Sequence, residues 1–181
     1  YYNTYSTTRQ DFSYMRLLNA SLGMAAVDVY ANSSLIASGL SYKGFTDYMQ
    51  VIPGFYNIKI FQAGTTGTAI VDMQIEIPVK SVVTAAIIGI PPAAAVKAFF
   101  EPVLQIPQGK LYLRFANLSP DSASMDFVLS DGTALFEDIS YGAVASYVAV
   151  LPNVYTFYLQ RSGTDTSLLY VPNIRLLPDR F

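Results

Sequence analysis

The sequence predicts an all-β protein built as two tandem β-sandwiches, the second lacking its last strands. Three observations predict it. The chain is an internal duplication: Arg16-Leu17-Leu18-Asn19-Ala20-Ser21, followed by Val27-Asp28-Val29, returns as Arg114-Phe115-Ala116-Asn117-Leu118-Ser119, followed by Met125-Asp126-Phe127. Val71, Met73, Ile75 and Ile77 alternate with Asp72, Gln74 and Glu76, the period of a strand with one buried and one wet face. No amphipathic pattern of helical period is sustained anywhere, and short apolar runs are punctuated by turn residues at regular spacing.

Residues 1–14, rich in Tyr, Thr and Ser, read as an extended arm. In the first domain, residues 15–100, Met15–Ala20 and Ala26–Ala31 read as neighbouring strands, and Asn32-Ser33-Ser34 as a turn. Phe45–Ile52 follows as a strand, Pro53-Gly54 as a turn, and Tyr56, Ile58 and Ile60 alternate with Asn57 and Lys59. Gly64–Gly67 is a hairpin loop before the strand at Val71–Ile77. Val82–Ile90 has no alternation and is rich in Val, Ile and Ala, as befits a strand in the middle of a packed sheet. Ala95–Phe100 favours helix by composition, yet it is short and confined between Pro91-Pro92 and Pro102, so a strand is expected.

A linker at 101–110, with Pro102, Pro107 and Gly109, leads to the second domain at 111–181. Its expected strands are Leu111–Asn117, Met125–Leu129, Val144–Val150, Tyr155–Gln160 and Leu168–Leu176. With a one-residue slip the copies stay in step: Ser41-Tyr42 with Ser140-Tyr141, Tyr48 with Tyr147, Pro53 with Pro152, Tyr56 with Tyr155, and Gly64-Thr65 with Gly163-Thr164. Counterparts of the strands at Val82–Ile90 and Ala95–Phe100 have no place before Phe181.

Composition narrows the chemistry. Charged residues are 13% of the chain, about half the ~25% usual in soluble domains. Aromatics reach 14%, with 14 Tyr and 11 Phe but no Trp. This is the make-up of an interface more than of a freely diffusing surface. A net charge of -2 gives no electrostatic reason to bind nucleic acid or an anionic membrane. Cys and His are both absent, which removes disulfides, thiolate chemistry, the usual zinc sites and every His-dependent triad. No cofactor is expected. The apolar run Val82–Phe100 is split by Pro91-Pro92 and charged at Lys97, so no transmembrane segment is expected there. The sequence opens at Tyr1 with no charged-then-apolar leader, so any secretion signal is expected outside it.

Arg16 with Asp28, and Arg114 with Asp126, read as structural pairs that tie together the first two strands of each domain. A catalytic pair of carboxylates requires two acids in one cleft, whereas these Asp residues fall one in each domain. Asp121, Asp126 and Asp131 lack the spacing of a calcium loop, and Gly64-Thr65-Thr66-Gly67 lacks the Lys and helix of a phosphate loop. Neither metal nor catalytic residues are assigned. Asn19, Asn32 and Asn117 match the glycosylation pattern, but turn roles explain the two that sit in the repeat. The matched tyrosines suit core or corner positions; Tyr1, Tyr2 and Tyr5 form an arm that needs somewhere to dock.

Arg-x-x-Asn-x-Ser, the following Asp in an apolar strand, Ser-Tyr, Pro-x-x-Tyr and Gly-Thr together resemble the bacterial domain-of-unknown-function family numbered 4397, over about residues 15–100 and 113–178. The second copy keeps Ser119-Pro120, whereas the first has Ser21-Leu22. The resemblance implies immunoglobulin-like or transthyretin-like sandwiches, often in tandem, in exported and surface proteins, and it implies no activity. The expected role is a structural subunit of a bacterial surface or extracellular assembly, such as a fibre, appendage or coat. It would self-associate, with the arm adding as a strand to the second domain of a neighbour. The alternative is a cell-surface adhesion module that binds carbohydrate or protein.

Overall fold

A computed structural model describes residues 10–102 and 105–180. It divides into two compact units. One holds the described residues through Ile87 together with Pro91–Pro102; the other holds Ile88–Ile90 and the described residues from 105 onward. Among the described residues there is no helix, so none that could cross a membrane.

The first repeat forms β1 (Ser13–Asn19), β2 (Val27–Ala31), β3 (Ser34–Leu40), β4 (Met49–Val51), β5 (Gly54–Gln62), β6 (Val71–Ile77), β7 (Val82–Ile88) and β8 (Ala95–Glu101). These make two four-stranded sheets, in the orders β4-β1-β7-β8 and β3-β2-β5-β6. β1 and β7 run parallel, Tyr14 opposite Val82 through Asn19 opposite Ile87. Alternation sends Met15 and Leu17 from β1, Val27 and Val29 from β2, and Ile58 and Ile60 from β5 into one core with Val83, Ala85 and Ile87 of β7. β7 is an inner strand of its sheet, which accounts for its lack of alternation.

The second repeat forms β9 (Leu111–Leu113), β10 (Met125–Leu129), β11 (Ala134–Ile139), β12 (Val148–Val150), β13 (Asn153–Arg161) and β14 (Ser167–Leu176). The order β11-β10-β13-β14 reproduces β3-β2-β5-β6, while β12-β9 reproduces β4-β1 as a sheet of two strands. Registers coincide as well: Gly54 faces Ile77 as Asn153 faces Leu176, and Met15 faces Met49 as Leu113 faces Val148. Among the described residues no strand occupies the places of β7 and β8. The first rung of that ladder is nevertheless set, since Tyr112 N–H donates to the Arg180 carbonyl at 3.0 Å as Tyr14 N–H does to Ser81 at 2.9 Å.

Several strand expectations need correction, among them Leu111–Asn117 and Val144–Val150, which contract to Leu111–Leu113 and Val148–Val150. β1 and β2 are not neighbours; they lie in opposite sheets, and β2 pairs with β3 and β5. β3 and β11 occupy stretches in which no strand is expected, because edge strands rich in small and polar residues, with shifted registers, carry no clear period. The strand expected at Phe45–Ile52 contracts to Met49–Val51, with only an isolated bridge between Leu18 and Phe45 before it.

Candidate functional site

The repeated polar residues turn out to be a frame. Asn19 ends β1, Asn117 follows the isolated bridge between Ala116 and Val144 beyond β9, and both are buried. Asn19 Nδ2 donates to the Leu40 carbonyl at the end of β3, and Asn117 Nδ2 donates to Ile139 at the end of β11, at 3.1 and 3.0 Å. Each Oδ1 accepts the N–H two residues on, from Ser21 and Ser119. One side chain therefore latches one sheet to the other. Tyr56 and Tyr155 donate their hydroxyls to the carbonyls of Ile52 and Leu151, at 2.6 and 2.9 Å, fixing the corner that enters β5 and β13.

Asp28 brackets two turns. Oδ1 accepts Gly39 N–H at 2.8 Å and the Ser38 hydroxyl at 3.0 Å, and Oδ2 accepts Gly64 N–H at 2.8 Å. The Gly64 and Gly39 amides, helped by Ser38 and opposed by desolvation, hold its carboxyl below the usual value. Asp126 repeats the bracket with Asp138 N–H at 2.7 Å and Gly163 N–H at 3.3 Å.

The expected Arg16–Asp28 pair is therefore corrected. Met15, Leu17, Val27 and Val29 face the core, so Arg16 and Asp28 project from the outer faces of opposite sheets. Arg16 donates to Thr84 Oγ1 at 2.9 Å, meets Glu101 at 3.5 Å, and lies over the rings of Phe45 and Tyr48 at 5.0 and 4.7 Å. Burial pushes the Tyr48 phenol above its usual value. Arg114 likewise lies over Tyr147 at 4.7 Å, and Asp126 sits on the sheet opposite β9. Thr84 and Glu101 belong to β7 and β8, which only the structure could join to Arg16.

What the frame encloses differs between repeats. Phe115, Phe127 and Phe157 stand where Leu17, Val29 and Ile58 stand in the first, and they stack at 5.2 and 4.6 Å between centroids. Leu169, opposite Leu159, holds the place of Val71 opposite Ile60, and Ile174, opposite Tyr155, that of Ile75 opposite Tyr56. Leu169 is 53% exposed where Val71 is 6%, and Ile174 is 37% exposed where Ile75 is 7%. An uncovered apolar strip along β13 and β14 is thus the candidate functional surface. Tyr1, Tyr2 and Tyr5, the expected docking arm, lie outside the described residues.

Chemistry of other kinds has little to work with. Among the described residues no group of three or more acids could hold a metal. The depression beside Asp126, bordered by Glu137, Asp138 and Arg161, is wide open, and its carboxylate is engaged by backbone amides.

The sequence matches the family model described as "Domain of unknown function (DUF4397)" over residues 13–128 and again over 111–175. No curated protein matches it. Among solved structures, the Bacillus anthracis TIE protein is 13% identical over 92% of this chain, with a TM-score of 0.32. A leucine-rich repeat protein from Bacteroides thetaiotaomicron is 12% identical over 94%, with a TM-score of 0.22. The chain spans 32% and 25% of the length of those two proteins.

Proposed function

We propose that this chain, which belongs to the DUF4397 family, is a non-enzymatic structural subunit of a bacterial extracellular or cell-surface assembly, joined head to tail by strand addition. One observation carries the reading: the second repeat keeps its frame and one complete sheet, yet leaves the apolar strip at Leu169 and Ile174 uncovered. An uncovered apolar strip facing a sheet of only two described strands is what an added strand requires, since backbone bonds supply affinity and alternate side chains fill the groove. The donor in this proposal is the segment 1–8 of a neighbouring copy. Its Tyr1-Tyr2 holds, in the repeat alignment, the place of Phe99-Phe100 in β8, and its rings offer apolar area to the strip. Such a contact is heterologous and propagates into a filament. Low charge and abundant tyrosine agree with a surface meant to be covered.

The test is deletion of residues 1–9, with light scattering and negative-stain microscopy of the intact and shortened proteins. The intact chain is expected to form filaments and the shortened one to remain in small species. Filaments from the shortened chain, or an intact chain that never assembles, overturn the proposal.

A further inference from the structure

We infer that two copies of the chain also join edge to edge through β14, antiparallel, with Tyr170 on the two-fold axis. The inference goes beyond head-to-tail addition and does not depend on it. It starts from the outer face of the sheet, which the added strand would not cover.

In the first repeat the outer face is wet. Lys59 faces Asp72 across β5 and β6 with an ion pair at 3.1 Å, and Asn57 Nδ2 donates to Asp72 at 2.8 Å. β6 is an edge strand whose Asp72 and Glu76 protect it from pairing further. At the same register of the second repeat, Tyr158 faces Tyr170, with ring centroids 5.2 Å apart. β14 opens with Leu168-Leu169-Tyr170-Val171, an apolar run without alternation, and Leu168 and Tyr170 are 47% and 56% exposed. A strand apolar on both sides is normally an inner strand, yet β14 is an edge.

The occupant that fits is a second β14. Antiparallel pairing about Tyr170 sets Leu169 against Val171 of the other copy, so apolar meets apolar across the regular stretch between the register shifts near Leu168 and Pro172. Exposed Asp165 and exposed Arg175 flank the run at its two ends, so an antiparallel partner brings opposite charges together at both ends. Pro172, without an N–H, and Asn173, at φ +59, end the regular stretch and favour this centre over slipped ones. On the outer face Tyr158 and Tyr170 of both copies form one row. The contact is isologous and closes as a dimer.

The chain contains no cysteine, so a single introduced thiol reports the pairing. Directly opposed residues of antiparallel strands have Cα atoms ~4.5–5.5 Å apart, within the ~4.4–6.8 Å that a disulfide spans. Under mild oxidation Tyr170→Cys is expected to give covalent dimers at least about tenfold faster than Asp72→Cys, its counterpart on the first unit's edge. It should do so equally in chains lacking residues 1–9, which separates this outcome from that of the arm. In chains lacking residues 1–9, which are expected to remain in small species, Tyr170→Lys should abolish dimers seen by light scattering. Equal crosslinking at 170 and 72, or dimers that survive Tyr170→Lys, overturn the inference.

Discussion

Ile75 and Ile174 occupy one position twice. Each lies on the last strand of its four-stranded sheet, opposite the tyrosine that fixes a corner, yet Ile75 is buried and Ile174 is more than a third exposed. The frame around them is the same: the asparagine latch, the aspartate bracket and the arginine over a tyrosine all recur. What differs is the cover, because β4, β1, β7 and β8 lie over the first four-stranded sheet and, among the described strands, only β12 and β9 lie over the second. The frame is thus a local device that hydrogen bonds hold in register, and the core is a separate matter of how much apolar surface finds a partner. A half-covered sheet can keep its topology while offering its inner face to another molecule.

The largest expected effect breaks the comparison at its centre. Ile75→Ala should cost ~2–5 kcal/mol in urea unfolding of the whole chain, the usual range for truncating a buried isoleucine. Ile174→Ala should cost less than about 1 kcal/mol, since part of its area is already wet. Equal losses would mean that the second face is covered in the free protein.

A smaller effect sharpens the shared half of the comparison. Asn19→Ala and Asn117→Ala each take the latch donor from a carbonyl, Leu40 or Ile139. Losses of similar size, on the order of 1–3 kcal/mol, are expected in the two units. A loss confined to Asn19→Ala would show that the second latch carries no load.

The smallest effect is in acid. The Asp28 carboxyl is held below its usual value by Gly64 and Gly39, so its contribution is fully present above the unfolded value of ~3.9. That contribution fades as pH falls through the lower, folded value. Asp28→Asn should therefore melt below the native protein at neutral pH, with the gap closing below about pH 4. A gap unchanged at low pH would remove the carboxylate from the account.

The duplication and the alternation of β6 made the all-β class and the repeat legible, because both leave direct marks on residue order. β3 and β11 were not legible, since exposed edges impose no strict pattern. Arg16 and Asp28 misled for a topological reason. Closeness in sequence suggested adjacent strands, but the chain crosses from one sheet to the other between β1 and β2. Asn19 and Asn117 stood out in the motif, yet their burial between sheets follows only once β3 and β11 are placed. The contrast between Asp72 and Tyr170 was present in the residues and gained meaning only when the registers matched them.

The parallel pairing of β1 with β7 has a temporal consequence. Arg16 must wait for Thr84, 68 residues later, before its side of the ladder can close. At ~5–20 residues per second, a nascent first unit spends several seconds with β1 open along that edge. Contacts so distant in sequence also slow folding after release, because loop closure precedes the bonds that reward it. The strands that complete the unit, β7 and β8, are thus the last of the first repeat to be made.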